Sequence, residues 1–170
     1  DGRIGKINFI HASFGFPIMN ERNYRLSKEL GGGVILDAAC YPLHLSRMIA
    51  GTEPLKINSE IYNNDSGLDI GGSSQIIFRD NVHSLIDFCF GTFYKNNITV
   101  HRELGIITLD RAFTSTTSMR NKILLKSNGE TEKVIEIEPC DHFLLEIDYF
   151  INCFYDSKKR KKNYLEIINQ

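Results

Sequence analysis

The stretch VHSLIDFCF (residues 82–90) decides the fold class, because its apolar and polar residues alternate. Successive side chains of a strand point to opposite faces of a sheet, so the pattern predicts a strand with one buried face, made by Val82, Ser84, Ile86, Phe88 and Phe90. Other short β-rich segments surround it at 4–14, 55–62, 73–78, 97–102, 105–110, 121–127 and 132–138. These segments predict one large sheet.

Two apolar runs outside the strands predict helices. The first follows three glycines and ends near Gly51, a residue type common just past helix ends, and Pro42 is expected to kink it or to end its first half. The second covers residues 141–156, with Asp141 as its N-cap. Its apolar stripe consists of Phe143, Ile147, Phe150 and Phe154.

Grouped strands with separate helices indicate an α+β fold, a large and mostly antiparallel or mixed open sheet with helices packed on one face. Residues 1–170 fit one domain of ordinary size. The second face of such a sheet would expose apolar surface. We therefore expect a homo-oligomer in which another subunit covers the open face.

Composition and charge exclude several classes of function. A formal net charge of -1 does not favour nucleic acid, and the basic run at 158–162 is expected to be a solvated surface. Acidic residues interrupt the apolar stretches, so we expect no membrane span. The histidines are scattered, and no metal site is expected. Cys40, Cys89, Cys140 and Cys153 are predicted to be buried free thiols in a reducing compartment, which favours the cytoplasm.

Three residues in the first helix form a candidate proton-transfer site. Asp37, Tyr41 and His44 stand at i, i+4 and i+7, the spacing of one helix face. A tyrosine can protonate a carbonyl oxygen as hydride reaches the carbon, and a carboxylate one turn away can hold a substrate hydroxyl. His44 can orient either group or bind the substrate itself. Glycines 31–33 would let backbone approach a ligand closely. A structural interpretation is also open, with a capping carboxylate, a half-buried aromatic ring and a surface histidine.

The segment GGGVILDAACYPLHLSRMIAG (31–51) resembles the central motif of the Gfo/Idh/MocA oxidoreductases, in which three glycines precede apolar residues, Asp, and then His or Tyr. The preceding NYRLSKEL (23–30) is similar to the Asn-aromatic-Arg segment that leads into those glycines. Tyr41 followed by Pro42, with FGFP upstream, looks most like the sugar-nucleotide 3-ketoreductase and glucose–fructose oxidoreductase branches. The resemblance continues through 105–113 and 140–156 and implies a C-terminal domain of the glyceraldehyde-3-phosphate dehydrogenase-like type.

Position by position, the resemblance implies roles for five residues. Tyr41 matches the His-or-Tyr acid–base position, and Asp37 matches the carboxylate that binds substrate hydroxyls. Asn23 and Arg25 match the segment that lines the substrate or cofactor cleft, and His44 stands where many members have Asp. Ala39 replaces the usual Gly, which affects local packing.

The resemblance also implies a partner domain. Family members bind NAD or NADP through a Rossmann domain with a G-x-G-x-x-G turn, and neither that turn nor the family's Glu-Lys-Pro motif occurs in this sequence. We therefore expect the substrate-binding and oligomerisation domain of a longer oxidoreductase that transfers hydride between nicotinamide and a sugar or sugar nucleotide. This domain alone is expected to be inactive. The alternative is a non-catalytic ligand-binding or dimerisation module.

Overall fold

The computed structural model describes residues 4–18, 20 and 22–168. The chain divides into two compact units. The first contains the described residues up to Thr114 together with Asn121–Ile137, and the second contains Ser115–Arg120 and the described residues from Glu138 onward. Each unit is described by itself below.

The first unit is built on a sheet of eight strands in the described part of the chain, with the order β2-β3-β4-β1-β5-β6-β7-β8. Strands β1 and β4 pair in parallel, and the other neighbours are antiparallel. The predicted mixed open sheet is therefore confirmed. The strands are β1 (Ile7–Phe16), β2 (Lys56–Asn63), β3 (Asp69–Ile77), β4 (His83–Phe90), β5 (Lys95–Arg102), β6 (Gly105–Asp110), β7 (Asn121–Ser127) and β8 (Lys133–Ile137).

One face of the sheet, here called the helical face, carries the core. On β4 the predicted inward residues are buried, and on β1 Ile10, Ala12 and Phe14 are buried beside them. The opposite face, the open face, mixes apolar and polar side chains. On the open face the Ser13 hydroxyl donates a cross-strand hydrogen bond to the Asp87 carboxylate at 2.7 Å. The alternation in residues 82–90 thus assigned the buried side correctly.

The predicted first helix consists of two parts. A π-helix, Ile35–Ala39, leads into α1, Cys40–Ala50, and Pro42 lies in the first turn of α1, where a missing N–H is tolerated. Gly51 ends α1 with a φ of 69°, as expected for a C-cap glycine. The Ser46 hydroxyl lies 2.9 Å from the Ser84 hydroxyl, a buried contact that joins α1 to β4.

Two of the three glycines before this helix, Gly32 and Gly33, make close contacts within the protein. The Gly33 N–H donates to the Arg25 carbonyl at 3.0 Å, and a Cβ at Gly32 would lie 2.5 Å from that same oxygen. Gly33 has a φ of +122°, and a Cβ there would collide with the Asp69 carboxylate, which accepts the Ile35 N–H at 2.8 Å. Gly32 is thus explained by the docking of residues 24–25, and Gly33 by the carboxylate at the helix start, without a ligand.

The second unit contains two helices, α2 (His142–Tyr155) and α3 (Ser157–Ile168). The Asp141 carboxylate accepts the N–H groups of Phe143 and Leu144, which confirms the predicted N-cap. Cys153 is the residue of α2 that is buried. The four residues of the predicted apolar stripe are exposed, namely Phe143, Ile147, Phe150 and Phe154.

The four cysteines are free, as expected, but their burial differs from the prediction. Cys153 is buried, Cys40 and Cys89 are half-buried, and Cys140 is exposed. Cys140 directly precedes the N-cap of α2, where the chain leaves the strand region, so apolar neighbours in sequence do not enclose it. The prediction of burial was therefore wrong for Cys140.

The part of the chain that the structure describes contains neither a membrane-spanning helix nor a metal-binding cluster. Among the described residues, no helix has the length and apolar character to cross a membrane. Within the same residues, no group of three or more His, Cys, Asp or Glu side chains is arranged to hold a metal ion.

Two glycine substitutions test the backbone contact at Gly32. Gly32→Ala should lower the free energy of unfolding by about 2 kcal/mol or more, because its Cβ collides with backbone that cannot rotate away. Gly31→Ala is the matched control, because Gly31 has a φ of +75° but open space around it. This variant should lower the free energy of unfolding by only ~1 kcal/mol, the strain of a left-handed alanine. Thermal unfolding of the protein expressed from the complete reading frame measures both. An equal loss for the two variants would contradict the account of Gly32.

Candidate active site

A pocket of about 510 Å³ opens at the helical face, at the end of β1. Its volume is within the range of small-molecule sites. Aromatic and aliphatic side chains form much of its lining, and a carboxylate, a guanidinium, amides and hydroxyls supply the polar part. The lining residues are Phe14, Phe16, Pro17, Ile18, Asn20, Asn23, Arg25, Asp37, Tyr41, Tyr94 and Thr114.

The Asp37 carboxylate is held by two donors. Arg25 Nε donates to Oδ2 at 2.7 Å, and the Tyr24 hydroxyl donates to Oδ1 at 3.3 Å. The ion pair is partly shielded from water, with 19% of the Asp37 side chain and 30% of the Arg25 side chain exposed. The hydrogen bond to Asp37 raises the pKa of Arg25. Asp37 is therefore an oriented carboxylate.

The turn that carries Arg25 is ordered by its own cap. Asn23 caps the 3₁₀ turn Tyr24–Leu26, and its side-chain oxygen accepts the Arg25 N–H at 3.1 Å. The Arg25 guanidinium stacks on the Tyr24 ring at 4.7 Å and lies 5.7 Å from the Phe16 ring. These contacts and the glycine contact above fix the direction from which Arg25 reaches Asp37.

Tyr41 enters the pocket from the first turn of α1. Its ring meets Phe14 edge-on at 5.4 Å between centroids and lies 6.2 Å from Phe113. None of the described residues makes a hydrogen bond to its hydroxyl, and 44% of the residue is exposed. Burial of the ring, helped by the nearby Cys40 and Asp37, raises the pKa of Tyr41 above its ordinary value. The phenol is thus protonated at neutral pH and available to a ligand.

Four of the five residues singled out from the sequence line this pocket together: Asn23, Arg25, Asp37 and Tyr41. His44 is exposed on α1 and is not among the described lining residues. The i, i+4, i+7 stripe assumes an α-helix throughout, but Asp37 lies in a π-helical turn, which holds an additional residue. Because Tyr41 and His44 both lie in α1, the π-helical turn changes the direction of Asp37 relative to both of them.

Sequence reasoning missed a second polar group in the pocket. Tyr94 and Thr114 line it, and their hydroxyl oxygens are 2.6 Å apart. Both lie beside the side chain of Asn96, which is buried on β5. The sequence did hold a signal for this group: Asn96 is a polar residue on the same strand face as Ile98 and Val100, and a buried amide needs hydrogen-bond partners.

The pocket fits the nicotinamide end of a dinucleotide better than its phosphates. Flat rings such as Phe16 and Tyr41 line it beside amides, which suits a nicotinamide or sugar ring. Among the described lining residues the single cation is Arg25, and Asp37 already pairs with it. A pyrophosphate would therefore find no free positive charge here.

Solved structures with a similar fold include two oxidoreductases. A 3-ketoreductase from Actinomadura kijaniata, in complex with NADP and TDP-benzene, matches with a TM-score of 0.81 and 22% identity over 89% of this chain and 47% of that one. An aldose-aldose oxidoreductase from Caulobacter crescentus matches with a TM-score of 0.76 and 20% identity over 91% of this chain and 47% of that one. The fold class is thus that of one domain of such enzymes.

A model of the GFO/IDH/MocA C-terminal domain matches residues 1–108. The chain belongs to the GFO/IDH/MocA family, as the resemblance of segment 31–51 implied. A dTDP-3,4-didehydro-2,6-dideoxy-alpha-D-glucose 3-reductase from Streptomyces violaceoruber is 29% identical over 79% of this chain, and the D-xylose 1-dehydrogenase [NADP(+)] of Haloarcula marismortui is 25% identical over 90%. The chain spans 40% and 44% of those relatives.

The raised pKa of Tyr41 can be measured directly. An alkaline titration of tyrosinate absorbance, taken as the difference between the unaltered protein and Tyr41→Phe, should give a midpoint above the ordinary value of about 10. Tyr164→Phe removes an exposed phenol of α3 and controls for the absorbance of one ring. A midpoint for Tyr41 at or below the ordinary value would show that burial does not act on this phenol as described.

Proposed function

We propose that this domain is the substrate-binding part of an NAD(P)-dependent oxidoreductase that acts on a sugar or sugar nucleotide. The observation that carries the proposal is an unpartnered phenol, Tyr41, in the same pocket as the oriented carboxylate of Asp37. The names of the relatives reported above support a sugar or sugar-nucleotide substrate and NADP. Four free cysteines are in keeping with a reducing compartment such as the cytoplasm.

Tyr41 would exchange the proton at the reacting oxygen. Its hydroxyl can donate to a carbonyl oxygen while the carbon is reduced, and it can take the proton back in the reverse direction. The phenol, whose pKa lies above its ordinary value, is protonated at neutral pH and therefore carries the hydrogen to be donated. Phe14 and Phe113 pack against the ring and position it.

Asp37 would hold a neighbouring sugar hydroxyl. A carboxylate oxygen accepts about two hydrogen bonds, and Arg25 and Tyr24 supply one to each oxygen of Asp37. Each oxygen therefore retains an acceptor direction for a ligand. Arg25 and Asn23 would act here as positioning residues, because the arginine orients Asp37 and Asn23 caps the turn that carries it.

The nicotinamide cofactor, when bound, supplies or accepts the hydride. This domain would contact the nicotinamide end through the aromatic lining of the pocket, and the phosphates would be bound elsewhere in the protein. The roles of the protein groups described here are to bind and orient the sugar and to move one proton.

The central test is the variant Tyr41→Phe in the protein expressed from the complete reading frame. Removal of an acid–base group should lower kcat with D-xylose, D-glucose or dTDP-D-glucose by roughly 10²-fold or more, while KM changes little. Steady-state kinetics with NADP and NADPH measures the change. Tyr164→Phe, on exposed α3, should keep the activity of the unaltered protein. A kcat near that of the unaltered protein in Tyr41→Phe would refute the assigned role.

We also propose that a second copy of the chain covers the open face. Leu85 on β4, Ile106 on β6 and Val134 on β8 are exposed there, and no described helix of the first unit packs on this face. In a two-fold dimer the same surface of both subunits meets, so the surface must be complementary to itself. A sheet face that carries both apolar and polar side chains can meet this requirement. The mixture of apolar and polar groups is also that of a typical protein interface.

Light scattering tests this assembly. The unaltered protein should have the mass of a dimer or a higher oligomer, and Leu85→Lys combined with Ile106→Lys should shift it toward monomer, because two charges would be buried without partners. Leu30→Lys, at an exposed residue outside the sheet, is the control and should leave the mass unchanged. A monomeric unaltered protein at high concentration would contradict the proposal.

A further inference from the structure

Three side chains form a closed hydrogen-bonded cluster in the pocket, away from the Arg25–Asp37 pair in sequence. Asn96 Nδ2 lies 2.9 Å from the Tyr94 hydroxyl and 2.7 Å from the Thr114 hydroxyl, and the two hydroxyl oxygens are 2.6 Å apart. Tyr94 and Thr114 line the pocket that also contains Tyr41 and Asp37. The cluster therefore faces any ligand bound beside the proposed proton donor.

The hydrogens of this cluster do not all find partners within it. An amide nitrogen is a donor and cannot accept, so neither hydroxyl can donate to Asn96 Nδ2. The contact between the two hydroxyls uses one O–H hydrogen. The second O–H hydrogen has no acceptor among the described residues. One hydroxyl donor is therefore left for the pocket.

The backbone around Asn96 fixes where this donor lies. Asn96 is 4% exposed, and its side-chain oxygen accepts the Phe113 N–H at 2.9 Å while its carbonyl accepts the Arg111 N–H at 2.7 Å. The Arg111 guanidinium covers the Tyr94 ring at 4.2 Å. Phe113 in turn packs on Tyr41. The hydroxyl pair is thus held at a defined place relative to the phenol of Tyr41.

We infer that the Tyr94–Thr114 pair determines substrate specificity by donating one hydrogen bond to a sugar oxygen away from the reacting carbon. The inference rests on the proposed function for the class of ligand. A hydroxyl or carbonyl oxygen satisfies the free donor, and a deoxy carbon at that place leaves it unpaired. The pair therefore selects sugars that carry oxygen at one position.

The test uses the protein expressed from the complete reading frame, saturated with NADP. Calorimetry measures the Kd of D-xylose, D-glucose and dTDP-D-glucose, and then of the mono-deoxy forms of the ligands that bind. Because either hydroxyl alone can supply the donor, the double variant Tyr94→Phe/Thr114→Val is the decisive one. It should bind the parent sugar roughly fivefold to tenfold more weakly, the range expected for one net hydrogen bond.

The ratio of the Kd values of a deoxy analogue and its parent sugar distinguishes a binding role of the hydroxyl pair from a structural one. In the unaltered protein one mono-deoxy analogue should bind about fivefold to tenfold more weakly than its parent sugar, and in the double variant the two should bind equally. Thr114→Ser keeps a hydroxyl and should keep the discrimination. The control double variant Tyr164→Phe/Thr131→Val, at exposed residues outside the pocket, should behave as the unaltered protein.

Several outcomes would overturn the inference. They are a Kd for the parent sugar unchanged in Tyr94→Phe/Thr114→Val, a deoxy penalty that persists in that variant, or no binding of any of the three sugars by the unaltered protein. If that double variant fails to fold, Tyr94→Phe/Thr114→Ala, which also removes both hydroxyls, takes its place and must abolish the discrimination. Binding without turnover would contradict the proposed oxidoreductase chemistry and leave this subsite standing.

Discussion

The candidate site depends on the close approach of two backbone segments, at Gly32–Gly33 and at Tyr24–Arg25. This approach is possible because Gly32 has no Cβ, and the Gly33 N–H closes it with a hydrogen bond to the Arg25 carbonyl. Arg25 is thereby brought to Asp37, and the ion pair orients the carboxylate. Without that contact, Asp37 would be a solvated residue at a helix start. Gly32 and Gly33 thus contribute to the site indirectly, by setting the position of Arg25 beside Asp37.

Most of the fold could be predicted from local patterns, because strands and caps depend on neighbouring residues. The alternation in residues 82–90 gave the buried face of β4, and Asp141 and Gly51 were recognised as caps. The π-helix could not be foreseen, since it depends on how residues 35–39 meet the sheet and the Asp69 carboxylate. That turn sets where Asp37 lies relative to Tyr41; both line the pocket, whereas His44, further along α1, lies outside its described lining.

The pocket joins residues that are distant in sequence, which limits what any single motif can predict. Segment 20–41 supplies the carboxylate, its partners and the phenol, whereas Tyr94 and Thr114 come from the connections around β5 and β6. The motif indicated the first group. The second group became visible only when the sheet placed Asn96 inward and closed its hydrogen bonds. Tyr24 was missed for a similar reason, since its bond to Asp37 depends on the tertiary position of the turn.

Membership of the GFO/IDH/MocA family and the geometry of the pocket support the same interpretation, in which Tyr41 exchanges a proton while Asp37 holds the sugar. A crystal structure of the protein expressed from the complete reading frame, with NADP and a bound sugar, tests this most directly. The account predicts the Tyr41 hydroxyl within hydrogen-bond distance, about 2.6–3.2 Å, of the reacting oxygen, with an adjacent sugar hydroxyl on Asp37. A sugar bound with its reacting oxygen on another acid, and with Tyr41 and Asp37 both out of contact, would contradict it.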